Sequence, residues 1–419
     1  KESFFKSSVI DFLKVRASVG MLGKDETKAW QWRQRFTYQV DKGVVIGNNA
    51  VSTGLKMEVT PNPDVTWSEE LKTNYGIETR MFNNRLSLSA DYFFNKGTNM
   101  LMNRTANVPF TVGGSTASEN FGDVNFFGYE FSAGWNDKVG DFKYGLDVNF
   151  GWSDNKVITG DFNAIDIMKP WIAKPGESTD NGMWGYDCIG MFKDAAEVAA
   201  YISGYNIRSV FNVPAANLKP GSLYYRDVSG PLDTTTGKFA APDGIIDEWD
   251  QVQLSKKKST KYGMGTTLKL GYKQFTLSTV VTASFGGGFN EVDSQTRKPM
   301  KSGIDAGIDN RPSIWNNIYD PTLNPTGTMP NPYNEALNLA PTSNFWRRDA
   351  ASIQLRNINL AYAMPEKYTK VLGLSSCRLN FTALNPFILY NPFDYKNPNG
   401  AYDIYPTLKT YSLGLNVAF

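Results

Sequence analysis

The feature that most restricts this chain is a strict two-residue alternation that recurs in ten separate segments. In 407–419, Tyr411, Leu413, Leu415, Val417 and Phe419 fall on one side and Ser412, Gly414, Asn416 and Ala418 on the other. Successive strand side chains point to opposite faces, so the segment reads as a strand with one apolar wall and one small, polar wall. In 142–152, Phe142, Tyr144, Leu146, Val148, Phe150 and Trp152 alternate with Lys143, Gly145, Asp147, Asn149 and Gly151. Segments 71–81, 85–95 and 127–136 follow the same rule, as do 12–20, 262–273, 275–286 and 377–384. The tenth, 349–364, holds Ile353 and Leu355 in one phase and Ile358, Leu360, Tyr362 and Met364 in the other. One extra residue produces such a slip, which predicts a β-bulge at Arg356-Asn357.

The connections come in two lengths. Asn83-Asn84, Asp137–Asp141 and Lys273-Gln274 read as tight turns, and Met364 to Ser376 is somewhat longer. Between them lie long stretches, roughly 21–67, 102–123, 158–260, 288–348 and 389–406. Short and long strictly alternate, as periplasmic turns and extracellular loops do in an up-and-down outer-membrane barrel, which places the C-terminus on the periplasmic side. One loop segment has a helix start: Asp194 as cap and Glu197 three residues on, ahead of Val198 and Tyr201. It is expected to rest on the extracellular rim.

Alternation alone does not say which face meets what. The strands are longer than the usual five or six residues and suit a tilted bilayer crossing. Tyr92, Phe94, Phe150, Trp152, Tyr411 and Phe419 crowd the ends of the apolar face, where an interfacial girdle sits. The opposite face carries Lys14, Arg16, Lys72, Glu78, Arg80, Glu130, Lys143 and Asp147. A dry core would pay heavily to desolvate that many charges, whereas a wet or plugged lumen does not. Aromatics at 14% with a mean hydropathy of -0.37 fit two averaging faces. The expected fold is therefore all-β, a transmembrane antiparallel up-and-down barrel. Ten strands could close as a small barrel; if instead they are an incomplete wall, its two unpaired edges are untenable in hydrocarbon, and a missing N-terminal half must pair with both.

Composition excludes much else. A net charge of +2 without basic clusters argues against a nucleic-acid partner, and the one compact run, Lys256-Lys257-Lys258, reads as a solvated turn. Histidine is absent, which removes imidazole metal sites and the usual general base. No catalytic residue, cofactor or metal site is expected. Cys188 and Cys377 stand far apart without C-x-x-C spacing, and their positions in a loop and at a strand start argue against a bridge. The chain opens at Lys1 without a signal pattern, so the start was processed away or the chain is part of a longer polypeptide.

Two constellations have functional readings. Asp227, Asp243, Asp247 and Asp250 could surround a calcium ion, but Phe239 and Ala241 interrupt the ligand spacing, and Asx turns in a solvated loop explain the same residues. Trp30, Trp32, Trp171, Trp184, Tyr186, Tyr224, Tyr225 and Trp315 lie in the long loops. Such rings stack on sugars or pack a partner protein, and equally they pack loops against one another.

Six pieces, in order along nearly the whole chain, resemble the C-terminal half of SusC/RagA-family TonB-linked outer-membrane proteins. They are Leu13–Gly20, Asn62–Glu69, Gly128-Tyr129-Glu130, Asp243–Asp247, Phe345–Asp349 running into Leu355–Ile358 and Tyr362–Pro365, and Tyr405-Pro406-Thr407 through Phe419. The resemblance implies a barrel of about 22 strands, with plug and TonB box N-terminal to this chain. It implies TonB-driven import of oligosaccharides or peptides, with a SusD/RagB-like surface lipoprotein as lid and outer-membrane lipid outside. A passive porin-like channel and a soluble glycan-binding adhesin are the rival readings; an upstream plug and TonB box, and extraction behaviour, separate them.

Overall fold

The computed structural model describes residues 7–419 apart from 28, 48–49, 107, 110, 112–115, 292–312, 332–333, 335–341, 394 and 399–404. Within them, all ten alternating segments are strands: β1 Ile10–Lys24, β2 Ser68–Met81, β3 Leu86–Asn103, β4 Ser118–Val139, β5 Phe142–Thr159, β6 Tyr262–Tyr272, β7 Phe275–Phe285, β8 Ser352–Ala363, β9 Ser376–Tyr390 and β10 Thr410–Ala418. They make one antiparallel sheet whose spatial order is the sequence order. That is the up-and-down meander that tight turns between neighbours dictate. The sheet is open among the described residues: β1 pairs only with β2, and β10 only with β9.

Register keeps each phase on one face from end to end. One row runs Val15, Ile77, Ala90, Phe131, Phe150, Met264, Ala283 and Ile353. Its neighbour on the other face runs Arg16, Gly76, Asp91, Glu130, Gly151, Gly263, Ser284 and Ser352. Among the described residues, the first face has no protein layer over it. Val15, Val19, Tyr75, Leu146, Leu413 and Leu415 all stand exposed there. An apolar surface of this extent on a folded protein marks contact with another apolar phase.

The predicted bulge is present. Val280 pairs with Asn357 and Val281 with Leu355, so Arg356 is the extra residue. Its insertion puts Leu355 and Ile358 on the same face, which a regular strand could not do. Across from it, β9 is irregular between Leu384 and Phe387, and this gap accommodates Pro386 in a strand interior.

Several boundaries differ from the sequence expectation. The join expected over Asp137–Asp141 is only Gly140-Asp141, because pairing continues to Val139 opposite Phe142. Gly140 takes the left-handed conformation (φ 59°) that such a two-residue turn requires. Strand β9 runs six residues past its predicted end at 384, to Tyr390, because its alternation fades at the bulge while its hydrogen bonding does not. The connection between β8 and β9 holds a short helix, Glu366–Val371.

Candidate functional site

The charged face of the sheet is the first part of the site. Arg16 on β1 reaches across β2 to Asp91 on β3, donating from Nη2 to Oδ1 at 2.7 Å and to Oδ2 at 2.6 Å. Gly76 makes this possible. A Cβ there would stand only 2.5 Å from Asp91 Oδ1, so any side chain would break the pair. The same device recurs where Gly145 lies under Asn136, Gly265 under Asn149 and Gly128 under the Phe93 ring. Small residues on this wall are the sockets for long polar and aromatic neighbours. Lys269 pairs with Asp147 at 2.8 Å. Lys14, Glu130, Lys143 and Arg378 make no ion pair among the described residues. Near the short turns this face forms a recess of about 900 Å³, lined in part by Lys143, Lys269, Asn359, Arg378 and Asn380. The wall thus offers fixed charge of both signs to whatever passes or fills the interior.

The second part is a module folded from the long connection between β5 and β6 with pieces of the loop between β7 and β8. Its helix α1, Ala195–Tyr205, begins as the sequence indicates: Asp194 accepts from the Glu197 N–H at 2.8 Å. Glu197 accepts in turn from the Lys193 N–H at 2.7 Å, so two otherwise unpaired donors are satisfied. The helix buries Val198 and Tyr201 against Phe192, Val210, Leu223, Tyr225, Ile246 and Trp346. Tyr201 donates its hydroxyl to the Tyr225 carbonyl at 2.6 Å. Asn206 ends the helix in the left-handed conformation.

The aromatic candidates divide by burial. Tyr186, Tyr225 and Trp315 belong to the module's core, with Tyr225 wholly enclosed. Tyr224 stacks on Phe192 at 4.4 Å between ring centroids. Trp171 is the hub of a partly buried group with Trp184, Phe239 and Trp249, at 6.0 to 6.4 Å. These six pack loop on loop and are not gathered on one open surface. Trp30 and Trp32 are different: each is 55% exposed, and the two rings lie 6.3 Å apart in the loop after β1.

The aspartates are used as local braces. Asp243 accepts from the Ile245 N–H at 2.9 Å, an Asx turn, and Asp227 from the Gly244 N–H at 2.6 Å. Asp247 caps a single helical turn, accepting from the Trp249 N–H, while Asp250 answers the Asp247 N–H at 2.9 Å. Asp250 also accepts from Val228 and Ser229. It is fully buried, and burial pushes its carboxyl up to about 6. Burial likewise raises Asp247. Among the described residues no three acidic or cysteine side chains are placed to hold a metal ion.

Sequence reasoning missed one feature. The run Lys256–Lys258 is not a free turn. Lys257 pairs with Asp154 at 2.6 Å, and Lys261 pairs with Asp154 at 3.2 Å and Asp180 at 3.5 Å. Asp180 accepts from the N–H groups of Lys258 and Ser259. Burial raises the Asp180 carboxyl, but these hydrogen bonds and the Lys261 charge outweigh it and leave the group below its ordinary value. The cluster pins the module to the tops of β5 and β6. Its members are far apart in sequence, so no local pattern announces it. The two cysteines are free, and burial pushes the Cys188 thiol up to about 11.

Residues 11–192 match a family model described as TonB dependent receptor-like, beta-barrel. The ten-stranded antiparallel meander with long loops on one side has a solved counterpart. The RagAB peptide transporter superposes over 100% of this chain and 42% of its own, with a TM-score of 0.69 at 18% identity. The chain is thus similar to the barrel wall of TonB-dependent receptors, in sequence over residues 11–192 and in fold over its whole length. Among curated relatives, TonB-dependent receptor P3 of Formosa agariphila is 25% identical over 448 aligned residues, covering 100% of this chain. TonB-dependent receptor SusC of Bacteroides thetaiotaomicron is 25% identical over 372, covering 85%. This chain spans 40% of the length of P3 and 32% of SusC.

Proposed function

We propose that the protein imports oligosaccharides or peptides across the Gram-negative outer membrane by TonB-dependent active transport, closed from outside by a SusD/RagB-like lipoprotein. The observation that carries this is the sidedness of the sheet: one continuous exposed apolar face and one face of paired and unpaired charges. Lipid on the first and an aqueous or plugged interior on the second is the arrangement in which neither face is penalised. The two open edges, at β1 and β10, call for further strands, and the longer relatives supply the length for them, for a plug and for a TonB box N-terminal to this chain.

In this reading the long connections face outward, the short turns and C-terminus face the periplasm, and the loop module forms part of the external mouth. Trp30 and Trp32, with exposed rings, are the proposed contacts to cargo or lid. Uptake of labelled glycans and peptides by cells with and without TonB, carrying the intact receptor, tests the transport claim: uptake that persists without TonB would leave a passive channel. Orientation is tested separately. An epitope at Gly237, the exposed tip of the 232–239 hairpin, should be detected on intact cells, and one at Gly140 only after permeabilisation.

A further inference from the structure

Toward the long-loop side, the apolar face carries a band of contacting rings. Tyr129 and Trp152 stack at 5.1 Å, Phe150 and Tyr262 at 5.9 Å, and Tyr262 and Phe285 at 5.3 Å. These rings climb the outer face from the mid-membrane row of Phe150 toward the headgroup level. Two rows above Tyr129 and Trp152 on the same face, past Phe94, Phe127 and Asp154, register puts Lys96 opposite Asn125, and Asn125 opposite Lys156. Directly paired residues share a face, so the three form one outward row across β3, β4 and β5. Two strand spacings separate the lysine backbones by roughly 10 Å, a gap that two lysine side chains span onto one phosphorylated headgroup.

Both lysines are exposed, and neither makes an ion pair among the described residues. The carboxylates around them are engaged elsewhere: Asp154 with Lys257 and Lys261, Glu177 with Lys174 at 3.9 Å, and Asp123 with Thr159 and the Asn99 N–H. Glu69, exposed on the same face beside the row, forms no ion pair with Lys96. Two ammonium groups at the headgroup level, above an apolar and aromatic slope formed by Tyr92, Phe94 and Phe131, present charge to an anion and grease to its acyl chains.

We infer that Lys96 and Lys156, flanking Asn125, bind the phosphorylated headgroup of an outer-leaflet lipid of the lipid A class. This rests on the orientation given under Proposed function. The site would hold the receptor at a defined height and recruit lipid beside the pinned loop module. The test uses the whole receptor in detergent and native mass spectrometry, with bisphosphorylated lipid A, dephosphorylated lipid A and inorganic phosphate as probes. Each basic residue near an anionic lipid surface contributes enough that losing both weakens binding about thirty-fold. The expected result is that loss for lipid A in Lys96→Gln/Lys156→Gln, retention in Lys96→Arg/Lys156→Arg, and no competition by inorganic phosphate. Equal binding of dephosphorylated lipid A, or undiminished binding by the double Gln variant, overturns the site. Competition by inorganic phosphate overturns the commitment to a lipid. Because binding in detergent does not depend on orientation, failure of the Gly237 epitope test would sink the orientation and leave this measurement distinct.

Discussion

Ala90 and Ser89 are neighbours on β3 that point to opposite faces, so the same lysine substitution at each measures the sidedness directly. Ala90 lies at the centre of the outward run Leu86, Leu88, Ala90, Tyr92 and Phe94, between Ile77 and Phe131. With about 2.5 Å of height per tilted residue, it sits roughly 10 Å from either end of that run, near the bilayer midplane. A lysine there costs about 2–4 kcal/mol. Ser89 faces inward opposite Glu78 and shares a 2.6 Å hydrogen bond with Ser132. Ser89→Lys gives up that bond, about 1 kcal/mol, and gains a carboxylate neighbour worth a few tenths back. The difference is about 1–3 kcal/mol, or roughly a 5- to 150-fold change in the folding equilibrium. Ala90→Leu is the steric control: the outer face has an apolar recess of about 440 Å³ at this point, which leucine enters without a charge. Urea unfolding of the whole protein in lipid vesicles, followed by tryptophan fluorescence, reads the three variants side by side. Equal costs for the two lysines, or a costly Ser89→Lys beside a tolerated Ala90→Lys, would refute the reasoning.

Deleting Arg356 should abolish barrel assembly, because it turns Ile353 and Leu355 to the inner face, while Arg356→Ala should assemble with at most a modest loss; heat-modifiable gel mobility distinguishes the two. Gly128→Ala should destabilise by about 1–3 kcal/mol, since its Cβ would stand 2.4 Å from the Trp152 carbonyl oxygen and 2.7 Å from the Phe93 ring. Asp250→Ala should loosen the loop module by exposing three unmet backbone donors, at about 1–3 kcal/mol each where no water enters, read as faster protease cleavage between 160 and 260. Asp250 also carries a pH signature. Its carboxyl lies near 6 when folded against 3.8 when free, so the folded module holds its proton longer, and that contribution is full below pH 4 and lost as pH rises through 6. It amounts to about 3 kcal/mol. The protection of wild type relative to Asp250→Asn should therefore shrink from pH 4 to pH 7, and a constant difference would contradict the assignment.

The sequence by itself determined the sheet. Two-residue alternation is a local property, and it fixed the ten strands, their faces and the bulge at Arg356. It also set the order of neighbours, because Lys273-Gln274 and Asn83-Asn84 leave no room for a crossover. Asp194 and Glu197 likewise announced α1, since a cap needs only residues within one turn. What only the tertiary structure decided is where long-range partners meet. The Asp154, Asp180, Lys257 and Lys261 cluster joins two strand tops through a loop between them. Arg16 finds Asp91 over a glycine on an intervening strand. The eight loop aromatics look alike in sequence, yet Tyr225 is enclosed while Trp30 and Trp32 stand open. Burial and ion pairing depend on side chains brought together from far along the chain, and no period or spacing encodes that meeting; pleat and turn depend only on neighbours, and those the sequence spells out.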